Sequence, residues 1–256
     1  MMRIYVLMTL TMIVAAGCSV KEDRMNCPCM LVLDFADVDT SVVSVLNLLA
    51  TLHGEVVLDE RVDAVSFGKE YVCRVPHGHL QVNVWAGGEG REGPSGVVIP
   101  YGCECPPIFM DSFIADTRGD VFRKVVTMHK NHCRLTIEMD GVEEIPYSLT
   151  FKGQVDGYGL DGMPQEGDFS CVAYPGLKGE SHALLPRQLD SSLMLEVDDG
   201  TSVAKTFAIG EYIVSSGYDW SAVDLEDVTL MLDYYITYIK IEIQGWDKEY
   251  VYNVTL

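Results

Sequence analysis

Apolar and polar residues alternate with a period of two through most of this chain, the pattern of strands that bury one face. In Cys133-Arg134-Leu135-Thr136-Ile137-Glu138-Met139 every odd position is apolar and every even position polar. Ile239-Lys240-Ile241-Glu242-Ile243-Gln244 repeats the pattern, and Leu193-Met194-Leu195-Glu196-Val197-Asp198 does so more loosely. Strands at 71–75 and 80–85 flank Pro76-His77-Gly78, which predicts a hairpin, and 42–52 and 56–58 flank His53-Gly54 in the same way. Helix is weakly signalled. Residues 209–216, stopped by Gly217, have room for one or two turns, and 223–231 is ambiguous because β-branched residues interrupt it. Glycine-rich stretches at 87–96 and 153–167 predict loops, and no close repeat is visible. A break near 128–131, between strands at 121–127 and 133–139, divides the chain into halves of similar size. The fold class is all-β, and two antiparallel sandwiches in tandem are the simplest architecture.

The start of the chain does not read as fold. Met1-Met2-Arg3 is a short positive head, and 4–16 is an apolar run interrupted only by Thr9 and Thr11. A run of that length suits a secretory signal better than a membrane span, which takes roughly 20 residues. Ala15-Ala16-Gly17-Cys18 follows, with small residues before a cysteine as a lipoprotein signal peptidase requires. The expected organisation is a signal peptide at 1–17, a lipidated tether at 18–29 beginning with acylated Cys18, an N-terminal sandwich at 30–129 and a C-terminal sandwich at 130–256. One acyl chain binds a membrane only marginally, so a diacylated thiol with an acylated amine would be needed for stable anchoring. Ser19-Val20-Lys21-Glu22-Asp23-Arg24 is polar, and Glu22-Asp23 fits an export signal to the outer surface. The expected location is therefore the outer membrane, lipid-anchored, at the cell surface.

Composition narrows the partners. With 18 basic and 38 acidic residues the net charge is −20. Such acidity argues against nucleic acid and against lying flat on anionic lipid. Hydrophobic content of 48% supports a packed core.

The remaining motifs are mostly structural. Gly88-Glu89-Gly90-Arg91-Glu92-Gly93 matches the dinucleotide pattern, but Pro94-Ser95-Gly96 blocks the helix that the working motif needs. His129, His132 and Cys133 lie together, but a strand sends i and i+3 to opposite faces, so a linker with solvated histidines is expected rather than a metal site. Cys27-Pro28-Cys29 and Cys103-Glu104-Cys105 are two C-x-C pairs, open to a disulfide between the segments, to zinc or to free thiols. No nucleophile elbow and no H-E-x-x-H occurs, so no catalytic residue and no metal site is assigned.

Four stretches in order carry a resemblance. The Cys18 lipobox leads into 20–24 and Cys27-Pro28-Cys29. Val75-Pro76-His77-Gly78 precedes Val82-Asn83-Val84-Trp85-Ala86-Gly87. Residues 128–141 link strand to strand, and Gly210-Glu211-Tyr212-Ile213 leads through Tyr218-Asp219-Trp220, 224–228 and Asp233-Tyr234 to 239–246. Together they resemble the fimbrial anchor family of the Bacteroidetes, the FimB-type subunits of major and minor fimbriae. That resemblance implies two transthyretin-like sandwiches and a non-enzymatic base on which a fimbrial shaft is built. Its partners would be shaft subunits, joined by strand complementation, and outer-membrane lipid reached through the acyl group on Cys18, with no other cofactor. In shaft relatives proteolysis removes the first strand and opens a groove; here the strand at 30–35 would stay and Arg24 would not be cleaved. In the C-terminal strand Tyr250, Tyr252, Val254 and Leu256 alternate with Val251, Asn253 and Thr255. That strand can pair within its own domain or extend into a shaft subunit, and the first is expected because open edges invite aggregation. Two other readings are a surface glycan-binding lipoprotein using Trp85, Trp220 and Trp246, and a secreted hydrolase.

Overall fold

A computed structural model describes residues 27–63, 70–88, 96–140, 148–176, 179–198, 203–233, 238–244 and 249–253. In the first half the strands are β1 (Cys29–Asp34), β2 (Val45–Leu52), β3 (Glu55–Asp63), β4 (Tyr71–Val75), β5 (His79–Ala86), β6 (Val97–Val98), β7 (Phe109–Asp116), β8 (Val121–Val125) and β9 (His129–Lys130). The second half holds β10 (His132–Asp140), β11 (Ser148–Tyr158), β12 (Pro164–Ala173), β13 (Glu180–Pro186), β14 (Met194–Asp198), β15 (Val203–Phe207), helix α1 (Ile209–Ser215), β16 (Val228–Asp233), β17 (Tyr238–Ile243) and β18 (Glu249–Asn253). The all-β expectation holds, with α1 as the one described helix, ended at Gly217.

The strands form four sheets in two facing pairs. In the first pair, the order β4-β1-β8 packs against β3-β2-β5-β7-β9. Leu31 and Leu33 from one sheet, with Phe35 just past β1, meet Leu46, Leu48, Val82 and Val84 from the other in a buried cluster. In the second pair, β13-β10-β16-β17-β18 packs against β12-β11-β14-β15. Leu135, Ile137 and Leu230 there meet Phe151, Leu195 and Phe207. Each cluster is built from the alternating positions that the period of two marked out.

The two pairs share a wiring plan. β1 lies between antiparallel β4 and parallel β8, and β10 lies between antiparallel β13 and parallel β16. The second pair continues past β16 with the antiparallel β17 and β18.

An excursion binds the halves together. After β5 the chain leaves the first sheet pair, and β6 pairs with Gly157 and Tyr158 of β11. Val97, Ile99, Cys105 and Ile108 pack in the second cluster, which also reaches Leu49 and Trp85 on the back of the first half's larger sheet. Gly157 permits this approach, since a Cβ there would stand 2.1 Å from the Val97 carbonyl oxygen.

Two local expectations need correcting. Pro76-His77-Gly78 is not a hairpin, because β4 and β5 belong to opposite sheets; Thr117 Oγ1 donates to the carbonyls of Pro76 and Gly78 and holds the crossing. The 153–167 stretch is not mainly loop, since most of it lies in β11 and β12. By contrast β2 and β3 do form a hairpin, with His53 and Gly54 both at positive φ as a two-residue turn requires.

Candidate functional site

The first strand sits where its own groove would be. Alternation sends Cys29, Leu31 and Leu33 inward, each fully buried, while Met30 on the other face is 38% exposed. β1 bonds to β4 on one side and β8 on the other, so it alone joins those two strands. The pairing is extended at both ends, with Met30 N donating to Asp120 O at 2.9 Å and Val126 N to Asp34 O at 2.9 Å. On the same outer face Val72, Val121 and Val125 are exposed, while Val32 between them is 4% exposed.

The C-terminal candidates are only partly within the described residues. β18 pairs with β17 at the rim of its sheet, with Tyr250 opposite Ile241 and Tyr252 opposite Ile239. The Tyr250 side chain packs against the second cluster, and Val251 on the other face is exposed. Val254 and Leu256 lie outside the described residues, as do Cys18, Arg24, Trp246 and most of the 88–93 glycine motif.

Between the sheet pairs the chain is clamped. Lys130 N donates to Asp224 Oδ1 at 2.7 Å, His129 Nδ1 lies 3.1 Å from Asp224 Oδ2, and Leu225 N donates to Lys130 O at 3.0 Å. Lys130 Nζ pairs with Asp227 at 2.5 Å, and Arg134 N donates to the same carboxylate at 2.8 Å. Tyr158 donates its hydroxyl hydrogen to the Asn131 carbonyl and accepts from Arg187 N at 3.0 Å. Arg187 then spreads its guanidinium over Asn131 Oδ1 at 3.1 Å and the carbonyls of Trp220 at 2.5 Å and Ala222 at 2.6 Å. The segment 128–134 is thus gripped by the loop before β16, by Tyr158 at the end of β11 and by Arg187 just after β13. Spacing drew attention to the histidines here but carries no signal for Tyr158 or Arg187, which are distant in the chain.

The histidines are not both solvated. His132 is 6% exposed, lies edge-on to Phe109 and donates from Nδ1 to Ile108 O at 3.0 Å. Burial pushes its pKa below the ordinary value. Among the described residues no group of three or more His, Cys, Asp or Glu is placed to hold a metal.

All seven described cysteines are thiols. Cys27 and Cys103 are exposed, whereas Cys29 and Cys105 are buried in different clusters, so the two C-x-C pairs are not brought together. Burial drives the Cys105 thiol far up and raises Cys133 and Cys171 to about 12, so none is a ready nucleophile.

A cleft of about 920 Å³ opens beside β2 and β3, lined by Asn47, Glu60, Arg61, Trp85, Val98 and Phe109 among others. Trp85 is 3% and Trp220 6% exposed, so neither presents an aromatic face for a sugar ring. Among the described residues no helix is long and apolar enough to cross a membrane.

The chain matches no protein-family model and no curated protein. Its fold is shared with solved structures at low identity. A candidate polysaccharide-binding protein of Bacteroides thetaiotaomicron is 12% identical with a TM-score of 0.64, over 89% of this chain and 98% of that one. A candidate adhesin of Bacteroides ovatus is 12% identical with a TM-score of 0.57, over 90% and 96%. The fimbrial anchor protein Mfa2 of Porphyromonas gingivalis is 15% identical with a TM-score of 0.56, over 86% and 98%.

Proposed function

We propose that this chain is a non-enzymatic anchor or assembly subunit of a fimbria, held in the outer membrane by acylated Cys18 and joined to shaft subunits by strand complementation. The observation that carries this reading is the seat of β1. The strand nearest the lipidation motif fills the middle of its sheet with Leu31 and Leu33 fully buried. A subunit whose first strand stays in place offers no groove for a further subunit, and so suits the end of a fibre rather than its repeating length. The fold shared with a fimbrial anchor protein and an adhesin supports the same reading. The clamped linker fits a part that must pass on a pull between two modules.

The glycan-binding alternative finds support in the fold shared with the polysaccharide-binding candidate. The burial of Trp85 and Trp220 removes two of the three side chains on which it was based.

Palmitate labelling of wild type and Cys18→Ala, with fimbriae counted on cells and in the medium, tests the proposal. Labelled wild type, unlabelled variant and fimbriae released into the medium are expected. Fimbriae of normal length still attached to cells that carry the variant would exclude the anchoring role.

A further inference from the structure

We propose that the cleft beside β2 and β3 receives an extended strand of a shaft subunit, which pairs with the free edge of β6. The proposal rests on the fimbrial reading for its partner and names where that partner docks. With β1 seated, the groove it fills is closed to another chain, so a shaft subunit has to join elsewhere. β6 offers the place. It and β14 both pair antiparallel with β11, at opposite ends of that strand. β12 occupies the other side of β11 along both stretches, so β6 and β14 lie in one row. β15 pairs with β14 on the far side of that row, and no described strand does the same for β6. Ile99 N donates to Asp156 O at 2.7 Å, so residues 97 and 99 turn their main chain toward β11 and Val98 turns its N–H and C=O away. Val98 lines the cleft with Gly96 and Val97, and its side chain is 45% exposed.

The walls suit a polypeptide. Val45, Asn47, Asp59 and Arg61 occupy alternate positions of β2 and β3, on the face opposite the first cluster, and all line the cleft. Arg61, opposite Asn47 in register, has no ion pair among the described residues and can take a carboxylate from the incoming strand. Two other edges of the first sheet pair are guarded against strand addition by charges that point inward. On β3, Glu60 shares the face of Leu48 and accepts from the Tyr71 hydroxyl at 2.6 Å. On β8, Lys124 shares the face of Leu33 and pairs with Asp111 at 3.1 Å. β6 carries no charge. Main-chain bonds at Val98 supply the pairing, and the cleft walls supply the choice of sequence.

The test is binding of purified shaft subunit to the purified chain, with hydrogen exchange measured on the complex. The Val98 amide is expected to exchange fast in the free chain and slowly in the complex. Val98→Pro removes a donor that faces away from β11, so its thermal midpoint should stay close to that of wild type. Its binding should weaken roughly fivefold, the loss of one hydrogen bond. Arg61→Glu should weaken binding about tenfold, and Arg61→Lys much less. Absence of binding by wild type would overturn the proposal, as would binding that leaves Val98 unprotected or is unmoved by Arg61→Glu. The last two results leave the anchoring role standing, because palmitate labelling at Cys18 reads that role separately. A dimer of the chain alone that Arg61→Glu abolishes would also overturn it, since the occupant would then be a second copy. If Val98→Pro does not fold, exchange at Val98 and the Arg61 variants decide.

Discussion

His132 is a side chain whose role is set by surroundings that its neighbours in sequence do not reveal. It begins β10, yet Ile108 and Phe109 from the far end of the excursion enclose it. Burial is the main force on its pKa and lowers it; the Ile108 carbonyl and Asp227 act the other way, and Lys130 and Arg134 add to the lowering. The folded protein therefore resists a proton that the unfolded chain accepts below the ordinary value of 6.5. This contribution to stability is complete above that pH and is lost as pH falls through it toward the lower folded value. Urea melts at stepped pH should show a falling midpoint on acidification, with a shallower fall for His132→Gln, which keeps a donor but cannot titrate. An unchanged slope in the variant would assign the acid sensitivity elsewhere.

Strands were legible in the sequence, but their partners were not. Period-two runs located β10, β14 and β17, and His53-Gly54 located one hairpin. The same logic misread Pro76-His77-Gly78, because alternation reports that a strand buries one face and is silent on which sheet supplies the cover. The excursion at 97–108 was missed for a related reason: its contacts are with β11, β12 and β13, far away in the chain, and only two of its residues form strand. Cysteine spacing pointed to Cys103 and Cys105 with Cys27 and Cys29, while the packing buries Cys105 in the second cluster and Cys29 in the first. The seat of β1 gives an element-scale prediction. Leu33→Ala should cost about 2–5 kcal/mol, as for large-to-small changes in a packed core, against about 0.5 kcal/mol or less for Val72→Ala on the exposed face. Equal losses in chemical denaturation would mean that β1 is not seated as described.

For the molecule as a whole, the decisive feature is the grip on residues 128–134. Short linkers between modules commonly leave them free to swing. Here Arg187 alone satisfies four backbone or side-chain acceptors from two separate segments. Burial opposes its charge and lowers its pKa, and Tyr158, Tyr218, Asp219 and Asp224 act the other way. Arg187→Ala should cost about 1–3 kcal/mol by leaving partly buried acceptors unpaired. It should also broaden the distance distribution between a spin label in the first sheet pair and one in the second. A variant with unaltered distances would show that the shared core, not the clamp, sets the arrangement.

The parallel pairing of β1 with β8 has a mechanical consequence. If the chain is anchored through Cys18 as proposed, tension from the membrane would enter β1 at its Cys29 end, and tension from the rest of the chain would leave β8 at its Val125 end. Because these strands run the same way, the two pulls act at opposite ends of the ladder from Met30–Val121 to Asp34–Val125. Such a ladder must slide as a unit, all its bonds sharing the force, instead of peeling open one rung at a time.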